Sequence, residues 1–269
     1  MREQTNKTVD VLGIDVSVMR PDKAVNITMN YINRKEPGTV FFHTAESSLL
    51  CQSQDWAAGC VNSCDLVLPG DRYMEHALGH VSQWEEEQLG RSQFADRYMV
   101  KLLARIARDG KEIFVVTDKE EYLQSLKDDL QSIYPEISMD GVVLKDESEP
   151  GIEALVNEIN GIIPDIIFLC LSPQSQLNLF REYVPMMNTH LLISIEFILP
   201  TVLNSQTEVP RWVETLHLTD FYLKTRDKIV GSIFRKTILE ESEKETGEPE
   251  KEIDEPETEN NEEIFKGEE

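Results

Sequence analysis

Two short polar stretches in the first third of the chain hold side chains able to act on a ligand, and each follows an apolar run that stops abruptly. Val40-Phe41-Phe42 stops at His43-Thr44-Ala45-Glu46, and Leu66-Val67-Leu68 stops at Pro69-Gly70-Asp71-Arg72. In a parallel α/β sheet, ligands bind in the crevice beyond the carboxyl ends of the strands. Two such ends, one with Thr44 and Glu46 and the other with Asp71 and Arg72, make a site mouth. Arg72, Arg91, Asp96 and Arg211 are further polar candidates, although charged residues of this kind more often form surface ion pairs. The five histidines show no nucleophile–base pairing with a serine or cysteine.

These stretches need elements to hold them. Residues 9–16 read as a first strand or hairpin arm. Pro21 opens a helix through Ile32, because proline in a first turn loses no hydrogen bond there. Residues 39–43 and 65–68 are strands, with short helices over 45–51 and 55–62. Residues 70–90 look irregular, with an exposed loop at Trp84. The apolar positions 94, 95, 99, 102, 103, 106 and 107 mark an amphipathic helix that Gly110 ends. Strands over 111–117, 141–144, 165–171 and 190–195 then alternate with helices over 119–134, 151–159 and 173–183. Apolar strands alternating with helices predict an α/β fold, a Rossmann-like parallel sheet covered on both faces. A basic, amphipathic stretch follows, with Lys224, Arg226, Lys228, Arg235 and Lys236 among Ile229, Val230, Ile233 and Phe234. It suits an anionic membrane surface or a helix packed on the domain equally well.

Composition narrows the function classes. The 269 residues suffice for a sizeable core. The net charge is −24, and residues 239–269 contain 15 acidic and 3 basic side chains, so half of that charge lies in the last 31 residues. Such a segment buries too little apolar surface to offset its ordering entropy and reads as a disordered acidic tail. The acidic body excludes nucleic acid as a main partner. No apolar run approaches the length of a membrane span and the first ten residues are polar, so a cytoplasmic protein is expected. Cys51, Cys60, Cys64 and Cys170 form no CxxC pair and read as reduced thiols, with no metal site. The expected divisions are 1–208 for the sheet domain, 209–238 for a helical appendage and 239–269 for the tail.

Six anchors in order resemble the WecG/TagA/CpsF family of bacterial glycosyltransferases. Val11-Leu12-Gly13-Ile14-Asp15 is similar to the family's opening VLGVPID. Phe42-His43-Thr44-Ala45-Glu46 stands where members carry T-x-N-A-E, and the stretch from Cys64 to Asp71 resembles ADLVLPDG. Ala95-Asp96 fits the end of a further family stretch. Pro164 to Leu171, followed by Gln176, resembles PDILFVGLGAPKQE, and Pro210-Arg211-Trp212 with Leu216 and Leu218 resembles the family's C-terminal run. The resemblance implies transfer of an N-acetylhexosaminyl group, commonly N-acetylmannosamine, from a UDP-sugar to a lipid-linked acceptor in envelope polysaccharide synthesis. It implies no cofactor and no essential metal, peripheral contact with the inner face of the membrane, and a homo-oligomer as an option. It also implies roles. Asp71 is the candidate base, Thr44, Glu46 and Gln176 contact the substrates, and Arg211 and Arg226 offset charge on the leaving UDP.

The departures fall where chemistry is expected. The family's Asp column holds Gly70, so the carboxylate is moved by one residue to Asp71. Thr44 replaces the family's Asn, and the residues from Ser194 to Pro200 replace a glycine-rich GVGGSFD. Glycines there let phosphates approach the backbone, and Ile195, Phe197 and Ile198 would fill that space. Three readings follow: a divergent glycosyltransferase, a non-catalytic relative acting as a binding or scaffold subunit, and an α/β domain using the same mouth for another small ligand.

Overall fold

The computed structural model describes residues 7–33, 38–82, 94–196, 198, 234, 236 and 238. Strands β1 (Thr8–Val11) and β2 (Ile14–Ser17) form an antiparallel hairpin. Its two turn residues, Leu12 and Gly13, have φ of 55° and 79°, as a two-residue turn matched to strand twist demands.

The main sheet has six parallel strands in the order β4-β3-β8-β7-β5-β6. These are β3 (Gly38–His43), β4 (Leu66–Pro69), β5 (Glu112–Thr117), β6 (Ser138–Val143), β7 (Ile166–Cys170) and β8 (Leu191–Ser194). Every residue of β4, β7 and β8 is buried, because helices cover both faces and neither side of these strands meets water. Successive side chains alternate between two cores. Val40, Phe42, Leu66 and Leu68 face α1 (Pro21–Ile32) and α5 (Phe94–Asp109), and Phe168 and Val115 on the same face meet α6 (Glu120–Ile133). Phe41 and Val67 face α2 (Ala45–Ser53), α3 (Asp55–Asn62), α4 (Arg72–Ser82) and the hairpin. Further along that second face, α7 (Glu149–Ile162) and α8 (Pro173–Glu182) cover Phe114, Ile167 and Leu192. The expected α/β, Rossmann-like architecture is the one observed.

Two features correct the sequence reading. Residues 72–82, expected to be irregular, form α4. Asp71 starts it by accepting the Met74 N–H at 2.8 Å, and Tyr73, Met74, Ala77 and Leu78 supply the buried stripe. The second concerns the strand ends bearing Thr44, Asp71 and Gln176, which the sequence reading placed in succession: β8 lies between β3 and β7 and separates Gln176 from the other two.

At the C-terminal side, residues 234, 236 and 238 are helical. Phe234 and Ile238 are buried in the same core as α2 and α4, while Lys236 is exposed. Phe234 and Ile238 thus turn to the domain interior. The rest of the 209–238 appendage and the acidic tail lie outside the described residues. Among the described residues, no helix is long and apolar enough to cross a membrane. All four cysteines are free, and burial pushes the thiols of Cys64 and Cys170 up to about 12.

Candidate active site

The carboxyl ends of β3 and β4 meet in one corner, and backbone geometry holds it. Thr44 caps α2: its hydroxyl accepts the Ser47 N–H at 3.2 Å, and the Ser47 hydroxyl accepts the Thr44 N–H at 2.8 Å. Behind it His43 is fully buried, with Ser47 Oγ 2.8 Å from Nδ1 and Ser48 Oγ 2.7 Å from Nε2. Burial lowers its pKa to about 3, so the ring is neutral and serves as a spacer between strand and helix. Both partners come from the helix that follows, four and five residues on, a spacing that the sequence reading did not single out.

Asp71 joins the two strand ends. Its Oδ2 accepts the Ala45 N–H at 2.8 Å and its Oδ1 accepts the Met74 N–H at 2.8 Å. One half-buried carboxylate therefore sits at the N-termini of both α2 and α4, where the orphan amides and the helix dipoles favour negative charge. Gly70 brings the chain to this position by approaching β3 closely, its N–H donating to the His43 carbonyl at 2.7 Å. A Cβ on Gly70 would lie 2.8 Å from Thr44 Cγ2 and 3.0 Å from the Phe42 carbonyl. A side chain at position 70 would therefore crowd Thr44 and the main chain of β3 unless they shift.

Asp71, Thr44 and Glu46 come together, as the sequence predicted. Glu46, half-buried, occupies the first turn of α2. Arg72 leans on its neighbour, with its guanidinium carbon 5.0 Å from the Tyr73 ring centre and a hydrogen bond of 3.2 Å to the Tyr73 hydroxyl.

Glu75 was not singled out in the sequence, because the helix carrying it was not recognised. It follows Asp71 by one turn, its N–H donating to the Asp71 carbonyl at 3.2 Å. Its carboxyl accepts the Phe94 N–H at 2.5 Å and so caps α5. Burial, with the Asp71 and Asp96 carboxylates, pushes Glu75 up to about 7 against the pull of the Phe94 N–H and Arg97. Asp96 thus faces this corner from the first turn of α5.

Gln176 is placed differently. It is 3 % exposed, and its amide nitrogen donates to the carbonyls of Leu169 and Leu171 at 3.1 and 2.9 Å. Its amide oxygen accepts from the Ser194 hydroxyl at 2.6 Å. The side chain ties the end of β7 to the end of β8 and points into the fold. Beyond β8, Ile195 and Ile198 are buried in the first core, and the Ile198 N–H donates to the Tyr122 hydroxyl at 2.8 Å. Arg91, Arg211 and Arg226 lie outside the described residues. Among the described residues, no group of three or more histidine, cysteine or acidic side chains is placed to hold a metal ion.

Comparison with known proteins agrees with this layout. A family model described as the glycosyl transferase WecG/TagA/CpsF family matches residues 9–225. No curated protein matches the chain. The matched span contains Thr44, Glu46, Asp71, Gln176 and Arg211, and ends one residue before Arg226. Because the match runs over most of the sequence and over every strand of the main sheet, the chain belongs to the WecG/TagA/CpsF family of glycosyl transferases.

Proposed function

We propose that this protein transfers an N-acetylhexosaminyl group from a UDP-sugar to a lipid-linked acceptor in bacterial cell-envelope polysaccharide synthesis, working in the cytoplasm against the inner face of the membrane. The observation that carries the reading is Asp71, a carboxylate fixed by two main-chain N–H groups where β3 and β4 end. In the transfer, Asp71 takes the proton of the acceptor hydroxyl as its oxygen bonds to the anomeric carbon. The bond from that carbon to the phosphate oxygen breaks, and UDP leaves with the electron pair. The Thr44 hydroxyl and Glu46, on the same corner, position the sugar or the acceptor, and Arg211 and Arg226 offset the charge on the leaving UDP. Gln176 contributes by holding β7 and β8 in place, since its amide is committed to Leu169, Leu171 and Ser194.

The test is transfer from UDP-N-acetylhexosamines to lipid-linked acceptors by the full chain and by Asp71→Asn. Removing a positioned base costs about 10²–10⁴-fold in rate. Turnover unchanged in Asp71→Asn removes Asp71 from the mechanism. A second reading, a non-catalytic subunit that binds a partner in envelope assembly, draws support from Ile195 and Ile198, buried where the family keeps glycines. Calorimetric titration with UDP and UDP-sugars separates the two: binding keeps the transferase, and no binding at millimolar ligand favours the scaffold.

A further inference from the structure

The corner at β3 and β4 holds a second carboxyl that the transfer reading does not yet use. Residues four apart on a helix share a face, and Glu75 follows Asp71 at that spacing, with the main-chain bond between them formed. Their surroundings differ. Asp71 spreads its charge over two amides from two helix N-termini. Glu75 has one amide, from Phe94, and its surroundings include the carboxylates of Asp71 and Asp96 and the guanidinium of Arg97. Two like charges so placed do not ionise independently, and the proton stays on the group whose charge fewer N–H donors stabilise.

Resting on the glycosyl-transfer reading, we propose that Glu75 is a positioning residue that holds the proton of a coupled carboxyl pair and so presents Asp71 to the acceptor as the carboxylate. Environments that push two carboxyls apart assign one as base and the other as its neutral partner. The upward push on Glu75 by burial and by Asp71 agrees with this division. Near and above neutral pH, Glu75 ionises as well, and a second negative charge then stands beside a donor that carries a diphosphate. Transfer efficiency should therefore fall across that range.

Two measurements on the full chain test the proposal. The first follows the side-chain carboxyl carbon of Glu75 by NMR from pH 4 to 9, in the parent and in Asp71→Asn. The expected result is titration near neutrality in the parent and a lower midpoint in Asp71→Asn, which loses the like charge. Titration in the ordinary carboxylate range, or a midpoint that ignores Asp71→Asn, overturns the pairing. The second compares the pH profile of kcat/KM in the parent and in Glu75→Gln, whose amide oxygen still accepts the Phe94 N–H. The expected result is a several-fold fall above neutral pH in the parent and a flat profile in the variant, with similar rates at pH 6. The same fall in both proteins overturns the role of Glu75 and leaves the transfer reading standing. Absence of transfer by the parent with every UDP-sugar overturns the transfer reading and with it the role of Glu75, while the NMR titration still decides whether the pair shares a proton.

Discussion

The two ends of the strand row β4-β3-β8-β7 are built from similar residue types and do opposite things. At β3 and β4, Thr44, Glu46, Asp71 and Glu75 are half-buried, and Asp71 binds the corner together through the main-chain amides of Ala45 and Met74. At β7 and β8, Gln176 and Ser194 are buried and satisfy each other and the strand ends. The first corner keeps its carboxylates half-exposed, and the second is closed by its own hydrogen bonds. Polar residues at strand ends therefore mark a site only where their side chains face outward. A buried amide whose donors and acceptor are all used is structure, whatever its counterpart does in a relative.

Asp71→Asn breaks this contrast most strongly. Beyond the loss of rate stated above, one of the two amides it serves would meet an NH₂ group, and a buried N–H without an acceptor costs about 1–3 kcal/mol. Denaturant unfolding should show that loss, and retention of full stability would mean that the clasp at the two helix starts is weak. Gln176→Leu is next. It strands the Leu171 carbonyl and the Ser194 hydroxyl and leaves the Leu169 carbonyl with the Ile195 N–H alone, so stability should fall by roughly 2 kcal/mol, at about 1 kcal/mol or more for each group left alone. Stability kept with a raised KM for the donor would transfer Gln176 to the substrate-facing side of the comparison.

Two titratable groups of this corner, the buried His43 and the half-buried Glu75, respond to pH in opposite directions. The unfolded chain protonates His43 near 6.5, while the folded chain resists until about 3, so stability falls as pH drops through that window. Glu75 keeps its proton in the folded chain up to about 7 but releases it near 4.5 when unfolded, so its contribution falls as pH rises through that range. Each effect is bounded by about 1.4 kcal/mol per pH unit. Relative to the parent, Glu75→Gln should lose stability more steeply on acidification and His43→Gln less steeply; parallel curves would remove both groups from the balance. A last test concerns Gly70→Ala, where the added carbon meets Thr44 Cγ2 and the Phe42 carbonyl at a cost of about 1 kcal/mol, the low end for overpacking. Thr44→Ser, which lacks that methyl, should relieve part of it, and strict additivity in the double variant would show that the backbone contact alone is responsible.

The strands were legible because each apolar run ends sharply in polar residues, as at Phe42-His43 and Leu68-Pro69. The meeting of the two strand ends was legible in the same way, but the bond from the Ala45 N–H to Asp71 within that corner was not. Helix α4 was not legible, because Glu75, His76, Gly79 and His80 interrupt a stripe of only four apolar residues and the cap at Asp71 reads equally well as a turn. Glu75 was hidden with it. The position of β8 between β3 and β7 is set by packing across the sheet, which no local pattern encodes. The inward turn of Gln176 was equally invisible, since its partners are main-chain carbonyls that every sequence has.

The close approach at Gly70 also constrains how this corner can change over generations. A single exchange that put aspartate back at 70 would meet the main chain of β3 before it could serve any reaction, and removing Asp71 first would undo the starts of α2 and α4. Each order of the two steps therefore passes through an intermediate less stable than the parent, so the position of the acid and the close approach of the two strands are tied to each other.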